Sequence, residues 1–154
     1  MTAAPTSSAS VSTDASRLAE AVDAFTVFNA ALDGYYSGTK SIEDLQSFVT
    51  PDYFRVLVAE EAERDTSTWT MGTSTFGDEK LVDPDKWGGH GDLSLVVCRN
   101  ISRTEVVDDT GAPSTVKPLR TRIPLIVYFM DDDTSGSGML IEKVDQWNED
   151  GYCS

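Results

Sequence analysis

Residues 119–147, LRTRIPLIVYFMDDDTSGSGMLIEKVDQW, decide the fold. Leu119–Phe129 is rich in Ile, Val, Tyr and Phe, and Met139–Trp147 alternates apolar with polar side chains, so both read as strands. Between them, Asp131–Gly138 holds acids, Ser, Thr and Gly, the composition of a polar turn. Two strands joined by so short a turn pair antiparallel. Pro124 has no N–H to give a ladder, which predicts a bend or bulge there. Upstream, LSLVVC at 93–98 and TEVV at 104–107 are further strands, the latter turned by DDTG at 108–111. TWTMGTSTF at 68–76 is β-branched and aromatic, again a strand. Asp78–Asp92, with Pro84, Gly88, Gly89 and Gly91, reads as a long loop.

The first half has a different period. From Asp14 to Leu32, the residues Leu18, Val22, Phe25, Phe28 and Leu32 recur at steps of four and three, one apolar stripe on a helix. Ser12, Thr13 and Asp14 offer N-caps, and Gly34 a stop. Ser41–Asp44 resembles a capping box with Asp in place of Glu, followed by Ile42, Leu45, Phe48 and Val49 as a short amphipathic helix. Thr50 and Pro51 supply an N-cap and a first helical residue for a third helix. Its buried stripe is Phe54, Leu57, Val58 and Ala62, and its wet face Glu60, Glu61, Glu63 and Arg64. Helices followed by turn-linked strands predict an α+β domain with an antiparallel sheet. That domain spans 14–154, and residues 1–13, small and polar apart from Val11, read as a disordered tether.

The net charge is -14, from 26 acids against 12 bases. Nucleic acid and anionic membrane surfaces call for clustered Lys and Arg, so neither fits as a partner. A charge of this sign suits a cationic partner, a calcium site, or simply the solubility of an exported domain. No apolar run approaches the ~20 residues of a membrane span. The Thr/Ser/Ala/Pro opening reads as a tether just downstream of a signal peptide or a lipid-modified cysteine, with Met1 an added start. Membrane association is then expected only through such an N-terminal anchor.

Two cysteines stand far apart, Cys98 in an apolar run and Cys153 next to the last residue. A metal site wants more ligands, and a catalytic cysteine wants a base, yet the sole histidine is His90. Pairing is the economical reading, against two free thiols. A closed loop of this length would stabilise the fold by roughly 3–4.7 kcal/mol on a chain-entropy account.

Three other patterns are candidate sites. In 131–142, Asp131, Asp133, Ser135, Gly136 and Glu142 match the spacing of a calcium-binding loop, although strand-like segments flank it where that motif wants helices. Calcium is the one cofactor the sequence suggests. His90, in WGGHGD at 87–92, could act as a proton shuttle or pH sensor with Asp85 or Asp92 orienting it. Tyr35, Tyr36, Trp69, Tyr128 and Trp147 could line an apolar cavity, or serve as ordinary core. Arg99, Arg103, Arg120 and Arg122 fall on or beside strands, where a basic stripe or cross-strand ion pairs are the alternatives. Asn100–Ser102 matches a glycosylation acceptor.

The order of these elements carries a resemblance. The opening helix with Phe25, Phe28 and Tyr35-Tyr36 before Gly38, the Leu45…Thr50-Pro51 approach to the next helix, and the late long strands resemble the nuclear transport factor 2-like (SnoaL-like) superfamily. More narrowly, Cys98, Val107–Gly111, Ile126–Tyr128, Trp147 and Cys153 are similar in arrangement to secreted actinobacterial lipoproteins of that superfamily. In those, a mid-chain strand cysteine pairs with one at the C-terminus. The resemblance, over residues 14–153, implies three helices on a curved sheet forming a cystatin-like cone with an internal cavity, in an extracytoplasmic, often lipid-anchored protein. That fold hosts isomerases, dehydratases and many binding domains, so it does not fix an activity. No acid–base pair stands out. The function expected is therefore a non-catalytic extracytoplasmic domain that binds a protein, a second copy of itself, or a small apolar ligand. The alternative is a small isomerase or hydrolyase working in the cone.

Overall fold

The computed structural model describes residues 6–64, 66–82, 91–114, 120–132, 138–147 and 152–153, without the side chains of 6–14 and 132. Helix α1 (Thr6–Ser37) is longer than its apolar stripe predicts at both ends. Residues 6–13, expected to be tether, are helical in backbone, and no Gly or Pro falls between Thr6 and Asp33 to oppose it. At the other end, the helix runs through Gly34 and stops at Gly38, which takes a left-handed φ of +86°. The Gly34 carbonyl instead accepts the amides of Thr39 and Lys40, at 2.9 and 3.1 Å. No helix among the described residues is long and apolar enough to cross a membrane.

The second helical segment, Ile42–Phe48, is a 3-10 helix. Its apolar residues fall at 42, 45 and 48, a step of three that suits three residues per turn. The Ser41 amide donates to the Asp44 carboxylate at 2.8 Å, the return half of the predicted capping box. Helix α2 (Pro51–Ala62) starts as expected, with the Thr50 hydroxyl accepting the Tyr53 amide at 3.2 Å. Its stripe differs: Leu57 is buried and Tyr53 and Phe54 half-buried, whereas Val58 is exposed.

Among the described residues, six strands complete the order: β1 (Thr68–Gly72), β2 (Thr75–Val82), β3 (Leu93–Asn100), β4 (Thr104–Asp108), β5 (Arg122–Asp132) and β6 (Gly138–Gln146). All pairings among them are antiparallel. The four-stranded sheet has the order β2-β3-β5-β6, and β1 pairs with β4 in a separate two-stranded sheet. The registers show why two sheets arise. β1 and β2 pair along β4 and β3 as one long ribbon, from Thr68 opposite Asp108 through Gly72 opposite Thr104 to Val82 opposite Ser94. β5 begins opposite Asn100, so the ribbon leaves β5 at that point and bends away, and residues 113–114 pair on β4 instead. Gly72 makes the bend sterically allowed. Its φ is +97°, and a Cβ there would lie 2.3 Å from the Arg103 carbonyl oxygen. The predicted single strand 68–76 is thus two, and β2 continues through 78–82, where a loop was expected.

Two bulges set which side chains face which way. Pairing slips at Asp78-Glu79 in β2, where Asp78 has a φ of +56°, and at Glu142 in β6. The second bulge explains an irregular pattern in β6. Met139, Ile141 and Val144 all pack against the helices, although the last step is three residues rather than two.

One face of the sheet is filled by the helices. Leu95, Val97, Val127, Phe129 and Ile141 meet Phe25, Phe28, Leu45 and Leu57, and most of these are almost fully buried. The segment before α2 also caps the β6 edge, the Thr50 amide donating to the Ile141 carbonyl at 2.9 Å. The opposite face carries Val96, Ile126, Tyr128 and Trp147, against which Val82 and Tyr152 pack. Cys98 points to this face and is disulfide-bonded to Cys153, with a Cα–Cα distance of 5.7 Å. Tyr152 donates its hydroxyl to the Asp78 carbonyl at the β2 bulge. The C-terminal residues are therefore fastened across the side of the sheet that the helices do not cover.

Candidate functional site

Past the bend, the β1–β4 ribbon presents an open groove of about 530 Å³ against the end of α1. Period-two alternation puts Trp69 and Met71 on one side of β1, with Val107 opposite Trp69 and Glu105 opposite Met71 on β4. Ser37 and Gly38 form the helix-end wall, and the 108–111 turn the far rim. Gly38 allows this approach, since a Cβ there would sit 3.2 Å from the Trp69 ring. Met71 is 42% exposed.

The tryptophan is held by its neighbours. The Arg64 guanidinium lies 5.0 Å from the Trp69 ring centroid and 5.2 Å from that of Tyr35, within cation–π range of both. Tyr35 donates its hydroxyl to Glu61 at 3.1 Å. Burial, and then the Glu61 carboxylate, push the Tyr35 phenol above its usual range. Tyr36 packs on Tyr35 with ring centroids 5.4 Å apart.

The rim carries fixed negative charge. Asp108 accepts the Thr110 hydroxyl at 2.5 Å, the Thr110 amide at 2.9 Å and the Ala112 amide at 3.0 Å. These bonds, the hydroxyl first, favour the ionised form and hold the Asp108 carboxyl below the usual range. Asp109 stands exposed beside it. The groove thus combines an apolar floor with one anionic rim.

A second cluster sits at the bend itself. Asp33 of α1 accepts the Ser74 amide at 2.7 Å and the Ser74 hydroxyl at 2.8 Å. Arg99 of β3 donates to Asp33 at 3.2 Å and to the Ser74 hydroxyl at 3.2 Å. Asn29, one turn before Asp33, donates to the Ser74 carbonyl at 3.3 Å. The Asp33 and Arg99 side chains are 12% and 17% exposed. Each buried charge is paired and hydrogen-bonded, so the cluster pins α1 to the ribbon where its strands part. With Asp33 engaged by a guanidinium and two serine donors, it is poorly placed to serve as a base.

The residues singled out from the sequence fall into separate places. Tyr35, Tyr36 and Trp69 do come together near the groove. Tyr128 and Trp147 do not join them, because they occupy the opposite face of the sheet with Val96 and Ile126. The five aromatics therefore cannot line one cavity. Of the calcium-loop set, Asp133 and Ser135 lie outside the described residues, as does His90. Asp131 pairs in register with Met139 and forms an ion pair with Arg17 at 2.8 Å. Glu142 is the bulged residue three positions along β6, about 10 Å of strand rise away. The ladder holds these two carboxylates apart, because the flanks pair as strands. Among the described residues, no three His, Cys, Asp or Glu side chains gather in a form suited to a metal ion.

The arginines form no stripe. Arg99 turns to the helix side, while Arg122, on the other face, pairs with Asp78 at 2.8 Å. Sequence reading missed Met71, Val107, Asp108 and Asp109 as site residues, and missed the Asn29–Asp33–Ser74–Arg99 cluster. The second had a visible signal, two polar residues four apart beside the apolar stripe of α1. The first had none, because strand register and a helix end assemble it. No family model, curated protein or solved structure matches the chain.

Proposed function

We propose that this chain is a non-catalytic extracytoplasmic binding domain whose ligand surface is the groove on the β1–β4 ribbon. The observation that carries the reading is the contrast in filling. The helix side of the four-stranded sheet is packed solid with Phe25, Phe28, Leu95 and Phe129, whereas the ribbon keeps Trp69 and Met71 beside open space. A filled core leaves little room for a reaction inside a cone, and an apolar floor with convergent polar walls is the usual form of a binding site. Three helices ahead of an antiparallel meander, with bulges that curve it, support a nuclear transport factor 2-like parentage for the fold. The Cys98–Cys153 disulfide supports export, since such bonds persist in oxidising compartments.

An amide-resolved fragment screen tests the groove. Shift changes are expected at Gly38, Trp69, Met71 and Val107, and are expected to vanish in Met71→Lys. Shifts centred instead on Leu95, Val127 or the exposed face of α2 would overturn this assignment. Intact mass with and without reductant before alkylation tests export separately. Two thiols that alkylate without reductant would remove its main support.

A further inference from the structure

We propose that the occupant of this groove is an extended basic segment of another protein, presenting lysine or arginine beside an apolar residue. The inference rests on the groove being the ligand surface and names what it takes. The floor of Trp69, Met71 and Val107 suits apolar side chains, while Asp108 and Asp109 line the rim and Glu105 lies opposite Met71 on β4. Among the described residues, no Lys or Arg lines it. The turn amides and the Thr110 hydroxyl keep Asp108 charged, so the rim remains anionic through the neutral range. The molecule already shows what its tryptophan accepts, because Arg64 stacks on Trp69 at 5.0 Å. A net charge of -14 steers cationic partners toward the surface and repels acidic ones. The space is open and runs along a two-stranded ribbon, a shape that fits an extended chain better than an engulfed small molecule.

The test uses the full chain with its disulfide intact and fluorescein-labelled peptides of equal length in about 50 mM salt, where surface charge is weakly screened. Three peptides alternate Lys with Leu, Glu with Leu, and Lys with Ser. The Lys-Leu peptide is expected to bind about tenfold tighter than either of the others, a difference of about 1.4 kcal/mol. Glu105→Gln with Asp109→Asn should weaken it roughly 3- to 10-fold, as two partly exposed ion pairs would. Glu60→Gln with Glu63→Gln removes equal charge from the exposed side of α2 and should change binding less than about twofold. All these positions are exposed, so the variants should fold.

Equal weakening by both neutralised pairs would mean diffuse attraction and would overturn the proposal. So would a Lys-Ser peptide that binds as well as Lys-Leu, or no binding of Lys-Leu at about 1 mM. If Glu-Leu binds as tightly as Lys-Leu and Met71→Lys weakens both, the groove stands and the basic occupant falls. If Met71→Lys leaves every peptide unaffected, the groove itself falls as the ligand surface.

Discussion

The same ribbon of two strands behaves differently on either side of its bend. Between Thr75–Val82 and Leu93–Asn100 it is backed by helices on one face and by Trp147, Tyr152 and the disulfide-bonded Cys153 on the other, and Leu95, Val96 and Val97 are fully buried. Beyond Gly72 it continues as β1 and β4, with α1 against β1, residues 113–114 pairing on β4, Met71 exposed and Trp69 half-buried. The sequences of the halves are not very different; each is rich in β-branched and aromatic residues. What differs is whether a third strand arrives. β5 starts opposite Asn100, so the four-stranded sheet ends there, although Val107 further along β4 stays buried. Neighbours, rather than propensity, decide how deeply each half is buried.

The sharpest way to break this arrangement is at the bend. Asp33→Ala leaves the part-buried Arg99 without its carboxylate and should cost about 1.5–3 kcal/mol in denaturant unfolding. Replacing both, as Asp33→Leu with Arg99→Met, should recover much of that loss, because no charge is then stranded. If the single and double variants cost the same, the cluster acts through packing and not through charge pairing.

Truncations in the two halves come next. Leu95→Ala, in the backed half, should cost roughly 3 kcal/mol through lost burial and a residual cavity. Met71→Ala, in the open half, should change stability by no more than about 0.5 kcal/mol. A large loss at Met71 would mean that the ribbon end contributes to the core, and the contrast would collapse.

Much of the fold was legible because its signals are local. The stripe through Phe25 and Phe28 marked α1, Thr50-Pro51 marked the start of α2, and the cysteine pair marked the fastening of the C-terminus. The misreadings arose where tertiary contact overrides local preference. Gly34 lies inside α1 because the helix continues through Tyr35, which packs in the core. Val58 faces solvent because Tyr53, Phe54 and Leu57 already fill the space α2 can reach. Tyr128 and Trp147 were grouped with Tyr35 because composition alone says nothing about faces. Their side of the sheet is set by register, with Tyr128 opposite Ser94 and Lys143. The groove was illegible for the same reason, since Trp69 and Val107 meet across a ladder that no sequence spacing reports.

The smallest expected effect concerns the rim, and acid titration isolates it. Asp44 and Asp108 both have carboxyls held below the usual range: Asp44 chiefly by the Ser41 amide, Asp108 by the Thr110 hydroxyl and neighbouring amides. A carboxylate with a depressed folded-state pKa adds stability at pH values above its ordinary range, and that contribution fades as pH falls through the depressed value. Both turns should therefore hold at neutral pH and loosen only below about pH 4, the ordinary range for aspartate. Amide shifts of Thr110 and Ala112 should move together with a midpoint under that range, and Ser41 should trace its own curve near 3-10 helix 42–48. Asp108→Asn should abolish the acid transition at Thr110 and Ala112 and leave the one at Ser41 unchanged. Loss of both transitions would show that the ribbon end and the helical half are coupled through the fold. A lone change at Thr110 and Ala112 would show that the groove rim opens and closes independently of the packed half.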